Sequence, residues 1–134
     1  MNTQYLFEVS PRLGVAVLEG QGSIGEVLET MKNVANDPRF HPEDPLLVDA
    51  GNLTFRMSAK DAQTIAVTLN TLKAEFRGRI AVLVTADGLY GMVRMVSLLM
   101  DIGGFAIRAF RDSAAAREWL LEKDSGAGNP VSQI

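Results

Sequence analysis

The stretch LLVDAGNLTFRMSAKDAQTIAVTLNTLKAEFRGRIAVLVT, residues 46–85, decides the fold. Leu46, Leu47 and Val48 form an apolar run without alternation, which reads as a strand buried on both faces, and Asp49, Gly51 and Asn52 are expected to stop it. Ser58 with Asp61 three residues on is a capping box. It opens a helix that places Ala62, Ile65, Ala66, Leu69, Leu72 and Phe76 along one face, with Gly78 as its expected end. Ile80 to Thr85 is a second buried strand. Strand, helix and strand in that order call for a right-handed crossover and parallel pairing.

Outward from this unit the pattern repeats. Towards the N-terminus, Ser23 and Glu26 begin a helix carrying Ile24, Val27, Leu28, Met31, Val34 and Ala35 on one side, ending before Asp37-Pro38. Two strands precede it, Gln4 to Val9 and Leu13 to Glu19, with Ser10, Pro11 and Arg12 as a hairpin turn. Towards the C-terminus, Asp87 is expected to cap a helix from Gly88 to Ile102, closed by Gly103-Gly104. Phe105 to Phe110 is the last strand, and Asp112 or Ser113 caps a final helix through Trp119 and Leu120. The expected fold is α/β, a five-stranded, mostly parallel sheet with an antiparallel edge strand and four helices, in the order ββαβαβαβα. Residues 1–122 form the domain, and residues 123–134, rich in Ser, Gly and Pro without periodicity, read as a flexible C-terminal tail.

Composition narrows the chemistry. The chain has 134 residues, 47% of them hydrophobic, with 22% charged and a net charge of −3. This is neither a disordered composition nor a basic nucleic-acid binder. With no cysteine there is no disulfide, thiolate metal site or cysteine nucleophile, and one histidine builds no histidine-rich metal centre, so no metal or cofactor is expected. No run of about 18 apolar residues spans a membrane and the start carries no secretory pattern, so the cytoplasm is the expected compartment.

Several motifs invite a chemical reading. Gly20, Gly22 and Gly25 spell G-x-G-x-x-G, but the preceding strand is the second arm of a hairpin. The plainer reading is a turn at Gly20 and Gly22, a cap at Ser23 and close packing at Gly25. Glu26 and Glu29 read as solvated charges, His41 as a surface residue in a proline-rich loop, and Asp49 as an acceptor for the amides of Gly51 and Asn52. No nucleophile elbow or phosphate loop is present, so no enzyme is expected. The helix at 88–102 stands out instead. Its polar side chains Tyr90, Arg94, Ser97 and Asp101 fill a sector of only about 60°, against an apolar arc of about 220°. With Met92, Val93, Val96 and Leu99 turned to the sheet, Gly91, Met95, Leu98 and Ile102 are left as a side needing cover from a neighbouring helix, a second subunit or an apolar ligand.

The element order, LLVDAGNLTFRMSAKDA at 46–62, LYGMVRM at 89–95 and IRAFRDSAAAREWL at 107–120 resemble the SpoIIAA-like STAS family, in its stand-alone bacterial branch, over residues 3–122. The resemblance implies a fold shared with anti-sigma-factor antagonists, cytoplasmic domains of sulfate transporters and, more distantly, CRAL-TRIO lipid carriers. In the antagonists a kinase phosphorylates a serine that follows an aspartate at a helix start. Ser58 is the matching position and thus the candidate regulatory phosphosite, with Met57 in the aspartate's place and Lys60 where glycine is usual. Phe55, Arg56, Met57 and Lys60 then form the candidate partner-binding loop. The function expected is non-catalytic binding of a protein partner by a homodimer joined through Gly91, Met95, Leu98 and Ile102. The alternative is a carrier or sensor of a lipid-like apolar molecule, which requires an enclosed cavity of about several hundred Å3.

Overall fold

The computed structural model describes residues 1–122, and the expected tail at 123–134 lies outside the described residues. Strands β1 (Asn2–Val9) and β2 (Arg12–Gln21) form the antiparallel hairpin, turning through a cis Ser10–Pro11 peptide. Then follow α1 (Ile24–Asn36), β3 (Leu46–Thr54), α2 (Ala59–Thr71), β4 (Ile80–Leu83), α3 (Asp87–Asp101), β5 (Ile107–Phe110) and α4 (Ser113–Leu120). Strand order in the sheet is β1-β2-β3-β4-β5, identical to chain order, with every pair after the first parallel. Fold class and element order match the expectation.

Helix starts follow the sequence closely. Ser23 accepts from the Glu26 amide and caps α1, Ser58 and Asp61 form a reciprocal capping box on α2, and Asp112 accepts from the Ala115 amide at 2.9 Å. Asp87 departs from this. The cap of α3 is Ala86 without a side-chain bond, because the Asp87 carboxylate pairs with Arg111 at 2.6 Å.

Two ends also shift. β3 does not stop at Asp49 but runs to Thr54. A register shift between Val17 and Glu19 lets the far end of β2 pair with Asn52, Leu53 and Thr54, supplying ladder partners no local signal predicts. α2 stops at Thr71, and Phe76 reaches the core from the following turn, tilted against Phe40 with ring centroids 5.6 Å apart. Gly78 therefore does not end a helix. A Cβ there would lie 2.4 Å from the Asp44 carbonyl oxygen and 2.7 Å from that of Glu43, so the position requires glycine for a close backbone approach. At Gly25, by contrast, a Cβ would meet nothing, so close packing is not its role; Gly20 does not turn the chain but lies within β2 at φ +83°, paired with Leu53.

Because strands β2 to β5 are joined in sequential order, α1, α2 and α3 lie on one face. Ala16, Leu46, Ile80 and Ile107 of the sheet meet Val34, Ile65, Leu69, Val96 and Met100 there. The opposite face holds Leu13, Val15, Leu47, Ala81 and Leu83 beneath Ala116 and Leu120 of α4. On that face Arg79 and Arg108 stack over the Trp119 ring. Burying these apolar side chains contributes about 1.5–3 kcal/mol for each large one.

The loop before β3 is tied to the hairpin by one fork. Arg12 donates through Nε and Nη2 to the two Asp44 oxygens, both at 2.8 Å, and the His41 amide donates to the same carboxylate at 2.8 Å. The Arg12 hydrogen bond, with the His41 amide behind it, holds the buried Asp44 carboxyl below the usual carboxylate range. The ionised form then contributes stability that is fully present above the unfolded pKa of about 3.9 and is lost as pH falls through the lower folded value.

Two outcomes are expected. Gly78→Ala destabilises the chain by about 1–3 kcal/mol in urea unfolding, and an unchanged midpoint would contradict the close approach. Between neutral pH and about pH 3, the parent protein loses more stability than Asp44→Asn; parallel curves for the two would show that the Asp44 charge contributes nothing.

Candidate functional site

The β3–α2 loop is built by alternation. Phe55 and Met57 turn inward and are half-buried against the core, while Arg56, Ser58 and Lys60 face solvent. Of the expected partner-binding loop, the structure thus leaves Arg56 and Lys60 outside and makes Phe55 and Met57 a lid. The Ser58 hydroxyl accepts from the Asp61 amide at 3.0 Å, and Asp61 Oδ2 accepts from the Ser58 amide at 3.1 Å. This box satisfies two backbone donors at the start of α2 and keeps the Ser58 side chain at the surface.

On α3 the inward line is Leu89, Val93, Val96 and Met100. Met100 takes the place expected for Leu99, which is 42% exposed. Met100 continues the helical line of Leu89, Val93 and Val96, and at the helix end Gly103 and Phe105 both donate to its carbonyl where Gly104 at φ +87° turns the chain. Met95 packs half-buried on the core, whereas Leu98 is 67% and Ile102 90% exposed, with Gly91 open beside them. The expected uncovered side is real for Leu98 and Ile102 and partly closed at Met95. Arg94 and Asp101 rim it with opposite charges.

The chemical candidates resolve into structural roles. Asp49 accepts from the Gly51 amide at 3.1 Å, one of the two amides expected. Glu26 is not merely solvated: it accepts from the Met1 amino group at 3.2 Å and the Ser23 hydroxyl at 3.1 Å, and the amino group foremost holds its carboxyl below the ordinary value. His41 uses its backbone on Asp44, and its side chain is exposed. Among the described residues no group of three or more His, Asp or Glu is placed to hold a metal ion. Sequence reasoning missed the cluster at the carboxyl ends of β4 and β5, where Arg111 pairs with Asp87 and lies 4.3 Å from the Tyr90 ring centre. Arg111 lies 24 and 21 positions from Asp87 and Tyr90, and no local pattern links it to them.

Beneath α1, α2 and α3 lies a cavity of about 120 Å3 with a wholly apolar wall. Val48 and Val82, on adjacent central strands, are only half-buried because they border it. Val27, Met31, Phe55 and Met57, also half-buried, mark its open side. Thr30 lines it with its hydroxyl turned away onto the Glu26 carbonyl at 2.9 Å. The volume falls short of the several hundred Å3 required of a lipid carrier. At ~24 cal/mol per Å3, a void of this size costs ~3 kcal/mol of stability. A larger depression of about 550 Å3 between Lys73, Arg77 and Gly104 is open to solvent.

No protein-family model matches the chain, and no curated protein matches it. Among solved structures it is similar to an uncharacterized protein from the DUF3478 family with a SpoIIAA-like fold from Shewanella loihica PV-4. The TM-score is 0.56 at 16% sequence identity, covering 89% of this chain and 92% of that one.

Ser58→Ala is expected to cost about 1 kcal/mol of stability through loss of the α2 cap, with Ser58→Asp retaining most of it. Thermal unfolding measures both, and an unaffected alanine variant would deny the box any energetic role.

Proposed function

We propose that this chain, with its SpoIIAA-like fold, is a non-catalytic interaction domain that pairs with a second copy of itself through the outer face of α3 and docks a protein partner through the β3–α2 loop. The observation that carries the reading is the exposure of Leu98 and Ile102, one helical turn apart on the side of α3 away from its buried line. An apolar stripe rimmed by polar groups is the usual mark of an interaction surface. Charge favours a second copy as the occupant. In an antiparallel, two-fold pairing of α3 helices centred on Leu98, Arg94 of one copy meets the Asp101–Ile102 end of the other, so opposite charges flank a self-complementary apolar strip.

The β3–α2 loop offers the partner Arg56 and Lys60, with Ser58 between them as the regulatory phosphosite. A phosphate on Ser58 would sit at the positive end of α2, near those two cations and against the Asp61 carboxylate that now closes the cap. Phosphorylation therefore trades the Asp61 bond for a new negative surface, which is how such a switch would alter docking. In this reading the protein works in the cytoplasm; among the described residues, no helix is long and apolar enough to cross a membrane.

Light scattering behind a sizing column tests the pairing. The parent protein is expected to run as a dimer and Leu98→Asp as a folded monomer, the site being exposed enough to take a charge. A monomeric parent, or a dimer indifferent to aspartate at both 98 and 102, would refute the α3 interface.

A further inference from the structure

We infer that the cavity under α1, α2 and α3 is a binding site for a small uncharged molecule of about one aromatic ring or a short branched alkyl group, and that it excludes lipid-length chains. This goes beyond surface recognition and stands independently of it. Three observations carry it. The wall presents apolar surface only, and the polar group among its residues, the Thr30 hydroxyl, is already bonded to the Glu26 carbonyl. Water needs two to four polar partners to remain in a protein interior, so it gains nothing here, whereas dry apolar cavities of about 150 Å3 take up benzene or xenon.

The volume sets the upper size. At about 120 Å3 the space is close to that of a single ring and well below the roughly 300 Å3 at which sites for larger ligands begin. The position supplies the entry. Phe55 and Met57 come from a loop, and Val27 and Met31 from α1, which packs only lightly on α2 while α2 packs closely on α3. An opening between α1 and that loop requires no break in the sheet. Val48 and Val82 form the floor on the two strands where full burial is otherwise the rule for a parallel sheet, so an occupant would complete the packing those residues lack.

Methyl-resolved NMR of the full chain titrated with benzene, and separately under xenon pressure, tests the site. The expected result is saturable shifts at Val27, Met31, Ile65 and Val93, with both probes weakened at least about tenfold in the filled variant Ala50→Leu. Should Ala50→Leu not fold, Val27→Phe on half-exposed α1 fills the same space from its open side. Palmitate, the long-chain control, is expected to leave these methyls unmoved. Absence of saturable shifts, equal binding by a folded filled variant, or palmitate shifting the same methyls would each overturn the inference. None of these outcomes bears on the dimer, which the aspartate variants of α3 address separately.

Discussion

Strand order that repeats chain order is the constraint on which the rest of this molecule depends. Each parallel connection is right-handed, so three successive crossovers between neighbouring strands deliver α1, α2 and α3 to the same face of the sheet. That face receives nearly all the helical cover. The other receives only the eight residues of α4, supplemented by the Trp119 ring and the arginines stacked over it. The antiparallel hairpin carries the sheet past the first crossover, and Tyr5 and Phe7 of β1 extend the crowded face.

Crowding three helices over one face leaves imperfections in predictable places. α2 and α3 pack tightly, and α1 stands further from both, so the gap opens where α1, the β3–α2 loop and the middle strands meet. The same arrangement places α3 beside β5, and among the described residues no fifth helix covers its outer side. Leu98 and Ile102 remain in solvent for that reason. The internal void and the exposed Leu98–Ile102 pair both follow from the topology and not from any local irregularity of sequence.

Energetically, the lower edge is fastened by contacts that are few but specific. The Arg12–Asp44 fork joins β2 to the loop before β3, and the backbone of that loop lies so close to Gly78 that no side chain fits between. Titratable side chains such as Asp49, Glu26 and Asp87 are engaged with the Gly51 amide, the Met1 amino group and Arg111.

The elements were legible in the sequence because their signals are local. Ser23, Ser58 and Asp112 announce helix starts within three residues, apolar runs announce buried strands, and alternation of the two announces a parallel sheet. The breadth of the apolar arc on α3 likewise needed only the helical repeat. What tertiary structure decided rests on pairings between distant positions. β3 continues past Asp49 because β2 offers it ladder partners, Asp87 leaves its cap for Arg111 24 residues away, and Gly78 answers to a backbone 34 residues earlier. The void over Val48 and Val82 likewise depends on how three helices share one face. Periodicity determines which side of an element is apolar; only the packed whole determines how completely that side is covered, because coverage is a property of neighbours the local sequence does not name.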